Sequence, residues 1–116
     1  MAAEGSSTHV AVTFKGAVAY AAPAGDIGTH EAPALRQAIR EAMDKRPSKI
    51  IVDLTGVPYM ATAGLATLVE AMNLTRKAGS TLVLAGMHER VKAVFDISRL
   101  TSLFKIAPDV GAAESM

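Results

Sequence analysis

Cysteine and tryptophan are missing from this chain, and aromatic rings of any kind are few, with two tyrosines and three phenylalanines. Without cysteine there is no disulfide, no thiolate nucleophile and no cysteine-ligated metal, which fits a reducing compartment. So few rings leave no platform on which bases could stack. No excess of one charge exists either: 12 basic residues face 11 acidic ones for a net charge of +1. The basic residues form no stripe, so nucleic acid is not an expected partner. No apolar run approaches the roughly 18–20 residues that cross a bilayer, so no membrane insertion is expected. Met1 to Thr8 are small and polar, with neither a basic start nor an apolar stretch. They predict a disordered N-terminus over 1–8, not a signal peptide. What remains, residues 9–116, is the length of one domain, expected to be soluble and cytoplasmic.

Catalytic and cofactor signatures are missing as well. His9, His30 and His88 are scattered, with no second ligand three or four positions further on, so no metal is expected. No phosphate-cradling P-loop motif occurs, and Gly25-Asp26-Ile27-Gly28 is too short for a dinucleotide fingerprint; it reads as a tight turn. Asn73-Leu74-Thr75 fits the glycosylation pattern but falls inside a predicted helix. Paired carboxylates are absent. Asp53, the one acid in an otherwise apolar run, reads first as a hydrogen-bond partner for loop backbone. Nothing combines a nucleophile, a base and an orienting group, so no enzyme and no cofactor are expected.

What is present is a regular alternation of apolar strands and amphipathic helices. His9 to Phe14 alternates apolar residues as a strand does, Lys15-Gly16 turns, and Ala17 to Ala22 completes a hairpin. Pro23 to Gly28 reads as a loop. A helix opening at Thr29 or Glu31, with Pro33 in its first turn, carries Leu35, Ala38, Ile39, Ala42 and Met43 on one face. Ile50 to Leu54 is a continuous apolar run, as in a parallel strand buried on both faces. Leu65, Leu68, Val69 and Met72 mark a second helix that ends at Lys77-Ala78-Gly79. Thr81 to Ala85 is a further strand, His88 to Ile97 a third helix, and Leu103 to Ile106 a last short strand, with a fourth helix possible beyond it. This order predicts an α/β domain with a mixed, mostly parallel sheet of four to five strands and three to four helices.

The most informative place is the corner where the strand at 50–54 gives way to the helix that follows. Thr62-Ala63-Gly64-Leu65 sets a hydroxyl and a glycine at a helix start, where backbone N–H groups welcome an anion. Thr62 reads as the helix N-cap ahead of a phospho-acceptor. Gly64 leaves the corner open to a partner or ligand. Asp53 and the Gly25, Asp26 and Gly28 loop stand as residues adjacent to a bound phosphate or ligand.

The run from Ile51 to Leu65, Ile-Val-Asp-Leu-Thr-Gly-Val-Pro-Tyr-Met-Ala-Thr-Ala-Gly-Leu, resembles the central motif of bacterial anti-sigma factor antagonists of the STAS family, approximately V-D-L-S-x-V-x-F-[IM]-D-S-S-G-L. Ala32-Pro33-Ala34-Leu35-Arg36, Ala78 through Gly86, and Leu100-Thr101-Ser102-Leu103-Phe104 extend the resemblance across residues 10–108. It implies a STAS-like domain acting by partner switching: binding an anti-sigma factor of the serine-kinase type and so freeing a sigma factor. The surface implied is Tyr59, Met60, Ala61, Thr62, Ala63 and Gly64, and phosphorylation within it would break the complex.

At the switch itself this chain departs from the family. Asp-Ser-Ser-Gly becomes Ala61-Thr62-Ala63-Gly64, so the usual acceptor serine aligns with Ala63, and a second family acid aligns with Gly28. Thr62, one place early, is the only hydroxyl left in the motif and the phosphorylation candidate. The alternatives are a constitutive binder, a small-molecule or nucleotide-binding STAS domain, and a component of a lipid-transport or stress-sensing complex. An exposed edge strand from the hairpin also permits a homodimer.

Overall fold

The computed structural model describes residues 9–116; the expected disordered segment, 1–8, lies outside the described residues. Five strands form one sheet: β1 (His9–Lys15), β2 (Val18–Ala24), β3 (Lys49–Asp53), β4 (Thr81–Ala85) and β5 (Lys105–Ala107). Four helices accompany it: α1 (Ala32–Met43), α2 (Thr62–Lys77), α3 (Glu89–Ile97) and α4 (Val110–Glu114). The strands lie in sequence order across the sheet. β1 and β2 pair antiparallel from His9↔Ala24 to Lys15↔Val18, and every later pair is parallel. This is the mixed, mostly parallel α/β sheet that the sequence predicts.

A sheet whose parallel strands follow one another in order moves each crossover in the same direction. A constant crossover hand then places all the connecting helices on one face. The core obeys this: Leu35 and Ile39 of α1, Leu65 and Leu68 of α2, and Val91 and Phe95 of α3 pack on Ile50, Val52, Leu82 and Leu84 in one buried cluster. Ile51, Val83, Ala85 and Ala107 point the other way, where Ala113 of α4 covers them. Both faces of β3 and β4 are therefore buried, which explains their unbroken apolar runs. Lys49 fastens α4 by donating from Nζ to the carbonyls of Ala113 at 3.0 Å and Glu114 at 3.2 Å. On the outer face of the other layer, Arg36 and Arg40 of α1 bracket Glu70 of α2 at 2.8 and 3.3 Å. The hydrogen bond from Arg36 chiefly holds the Glu70 carboxyl below the usual carboxylate range.

Several boundaries differ from the sequence reading. β2 runs on through Pro23 and Ala24, where a loop was expected to begin. Pairing with β3 stops at Ala21, so the donor that Pro23 lacks is not called on by the parallel ladder. The last strand starts at Lys105 and not Leu103, because Thr101–Leu103 forms a 3₁₀ turn first. There α3 has ended in a Schellman turn: Arg99 takes φ 60° and Leu100 N–H reaches the Phe95 carbonyl at 2.9 Å.

Candidate functional site

The corner is built by two loops that lie side by side at the carboxyl end of the sheet. After β2, Gly25 (φ 91°) turns the chain and donates its N–H to the Gly56 carbonyl at 2.9 Å. Ile27 then pairs with Met60 as one parallel bridge: Ile27 N–H reaches Tyr59 O at 3.0 Å and Ala61 N–H reaches Ile27 O at 2.8 Å. Both Ile27 and Met60 are fully buried. The first turn of α2 rests on this pair through Gly64. A Cβ at Gly64 would stand 2.7 Å from Met60 Cγ and 2.9 Å from Ile27 Cγ2, closer than side chains pack. Gly64 is therefore a close-packing glycine, not an opening left for a ligand as its sequence context suggested.

Thr62 also sits differently from its sequence reading as the N-cap. The cap position is held by Ala61, with extended backbone (φ −87°, ψ 173°) and no side-chain cap bond. The Ala61 carbonyl accepts from Gly64 N–H at 3.0 Å and Leu65 N–H at 3.2 Å, so Thr62 is already the first helical residue. The reason is non-local: Ala61 N–H is committed to Ile27, which sets where extended chain ends and helix begins. The Thr62 side chain is consequently exposed, at a helix start that carries partial positive charge and no side-chain cap.

Of the six residues that the motif singles out, Tyr59 and Thr62 are exposed and Ala61 and Ala63 are half-buried. Met60 and Gly64 are buried and form the floor beneath them. Asp53 is half-buried and accepts from Thr55 N–H at 3.0 Å, the loop-bracing role expected of it. Asp26 is exposed beside the buried Ile27. Gly28 begins α1 as its physical cap: Glu31 and Ala32 N–H bond its carbonyl at 3.2 and 3.0 Å. Glu31 Oε1 reaches back to accept Gly28 N–H at 2.9 Å, the returning half of a capping box. Among the described residues no group of His, Cys, Asp and Glu could hold a metal.

The structure adds two residues at the start of α3, Arg90 in its first turn and His88 just before it, that sequence reading missed. The Arg90 guanidinium lies 5.4 Å from the centre of the Tyr59 ring, over the face of that ring. His88 Nε2 lies 2.6 Å from the Thr55 carbonyl. The loop before α2 and the start of α3 thus make one continuous surface. No local pattern announces this, because the two segments belong to different crossovers and meet only when β3 and β4 pair.

Fold and corner together define a small α/β domain with three helices on one face of its sheet and an uncapped, accessible helix start at its carboxyl edge. The family model for the STAS domain matches residues 9–113, and the chain belongs to the STAS family. It is 34% identical over 83 residues to an anti-sigma-B factor antagonist of Listeria monocytogenes, covering 72% of this chain and 73% of that protein. Among solved structures it superimposes on an anti-sigma factor antagonist from Mycobacterium paratuberculosis with a TM-score of 0.85 at 22% identity, covering 99% of this chain and 97% of that one. The Bacillus cell fate determinant SpoIIAA, in its phosphorylated form, shares the fold with a TM-score of 0.70 at 16% identity, covering 92% and 98%. No helix among the described residues is long and apolar enough to cross a membrane.

Proposed function

We propose that this STAS protein is a regulatory binding module, not an enzyme, that engages an anti-sigma factor of the serine-kinase type and so releases a sigma factor. The kinship to anti-sigma-B factor antagonists supports the class of partner. The observation that carries the site is the exposure of Tyr59 and Thr62 over a floor locked by Ile27, Met60 and Gly64. A rigid floor presents an aromatic anchor and a hydroxyl without loop-ordering cost, which favours tight docking.

Thr62 is the residue at which the complex is switched. Its hydroxyl is exposed and takes no part in capping α2. A phosphate on it gains the helix's positive end but brings about −1.5 to −2 charges into a packed interface, where desolvation and repulsion oppose binding. Ala63, at the place of the family's usual acceptor, offers no oxygen.

Isothermal titration against the serine-kinase anti-sigma factors encoded in the same genome tests both statements. Binding is expected to weaken by about tenfold or more in Tyr59→Ala and in Thr62→Glu. Incubation with the cognate kinase and ATP should add the mass of one phosphate to the native chain and none to Thr62→Ala. Absence of binding to every such kinase would end the partner assignment. A phosphate retained by Thr62→Ala would move the acceptor elsewhere while leaving the binding reading intact.

A further inference from the structure

Arg90 stands where the ordinary rules of helix composition would not put it. It lies in the first turn of α3, at the helix's positive end, where a cation is disfavoured. Ala93 and Val94, the next positions on its face, offer no carboxylate to hold it. Arg36 and Arg40 are paired with Glu70, whereas Arg90 is in no ion pair among the described residues. Its guanidinium lies over the Tyr59 ring instead, 5.4 Å from the centre. The two loops that carry this pair are joined at their base. Leu54 N–H reaches the Ala85 carbonyl at 2.8 Å, and His88 Nε2 lies 2.6 Å from the Thr55 carbonyl. Between them Gly86 (φ 73°) passes so close to Thr55 Oγ1 that a Cβ there would collide. The Tyr59 carbonyl is held in turn by Ile27 N–H. What this backbone leaves free is rotation of the exposed Tyr59 side chain.

We infer that Arg90 is a positioning residue of the docking surface: its guanidinium holds the Tyr59 ring in the rotamer that meets the partner. This rests on the reading of Tyr59 as an anchor for an anti-sigma factor, and adds how that anchor is kept ready. A tyrosine that turns among rotamers is competent to dock for only part of the time, and apparent affinity falls by that fraction. The strength of the contact bounds the effect. An exposed cation–π pair shifts such a balance by about two- to fivefold, so Arg90 can contribute no more than that to affinity. A direct ion pair between Arg90 and a partner carboxylate would contribute more and would not need the ring. Size and dependence on Tyr59 therefore separate the two.

The test has a free-chain part and a bound part. In the full chain labelled with ¹⁵N and ¹³C, the χ1 couplings of Tyr59 should report one rotamer in the native protein and averaging in Arg90→Met. Arg90→Lys, which keeps a cation over the ring, should restore the single rotamer. Titration with the serine-kinase anti-sigma factor should then show affinity about two- to fivefold weaker in Arg90→Met and within about twofold of native in Arg90→Lys. In a Tyr59→Leu background, Arg90→Met should have no further effect. Arg90 is exposed, so the fold should survive, which a melting curve verifies. If Arg90→Met does not fold, Arg90→Gln carries the same comparison. Averaged couplings in the native chain, or equal affinity of native and Arg90→Met, would overturn the proposal. A loss that persists in Tyr59→Leu would overturn it in favour of a direct ion pair with the partner. If the native chain binds no anti-sigma factor, the docking reading ends and this role ends with it. Failure of the Arg90 comparisons while native binding is intact ends this role alone.

Discussion

Met60 and Gly64 have no surface to offer, whereas Tyr59 and Thr62, in the same short run, project into solvent. The division follows from where the chain is pinned. Met60 bridges to Ile27 on the neighbouring loop, and Gly64 lets the first turn of α2 sit directly on both. Tyr59 and Thr62 flank those contacts; Tyr59 joins them only through its backbone carbonyl, which accepts from Ile27 N–H, and Thr62 lies outside them. A single motif thus contains two kinds of residue, one that shapes the corner and one that is shown by it. Substitution should separate them: floor residues should change stability first, and lip residues should change binding with little effect on stability.

The largest effect is expected at Met60. Truncation to alanine removes a fully buried side chain and leaves a cavity, at a cost of about 2–5 kcal/mol in urea unfolding. Gly64→Ala should cost less, about 1 kcal/mol net, because overpacking of about 1–3 kcal/mol is offset by roughly 1 kcal/mol of helix propensity. The two should not add. With Met60 truncated, the nearest obstacle to a Cβ at residue 64 is gone and only Ile27 Cγ2, at 2.9 Å, remains. The double variant should therefore be more stable than the sum of the singles by about 0.5 kcal/mol or more. Strict additivity would mean that the floor is not the packed unit described above.

Tyr59→Ala comes next. The residue is 38% exposed, and its ring lies against the Arg90 guanidinium. An exposed cation–π pair is worth about 0.5–1 kcal/mol, so the loss of stability should stay within that range. The loss in partner binding should be far larger. A variant that lost several kcal/mol of stability would place Tyr59 with the floor and erase the distinction.

The strands and helices and their order along the chain were legible in the sequence because each rests on a local pattern. Ile50 to Leu54 is apolar but for Asp53, and Leu35, Ile39 and Ala42 repeat at helical spacing. The corner was legible as a place, since Thr62 to Leu65 opens a helix straight after a strand and its loop. Its internal roles were not. Whether Ala61 or Thr62 caps α2 turns on a hydrogen bond to Ile27, far away in the chain. The burial of Gly64 depends on two side chains that only the folded loops bring beneath it. Arg90 and His88 reach the surface from a crossover that carries no motif. Pro23 misled in the other direction, for its turn chemistry is real but is overridden where β2 has no β3 neighbour to satisfy.

The finest test of the corner lies in one residue of register. If Thr62 capped α2, its replacement by alanine would cost about 1 kcal/mol. In the structure its hydroxyl makes no cap bond and stands on the first helical residue, where alanine is the better helix former. Thr62→Ala should therefore leave stability within about 0.5 kcal/mol of the native chain, or raise it slightly. The complementary change is Ala61→Ser. Ala61 already has the extended backbone of a cap and lacks only the oxygen, so serine there should gain about 0.5–1 kcal/mol in the same urea titration. Thr62→Ala near zero with Ala61→Ser positive confirms that Thr62 is free of structural duty, so its hydroxyl is available to a kinase without weakening the fold. The reverse pattern would return Thr62 to the cap and remove the structural ground for placing the switch there.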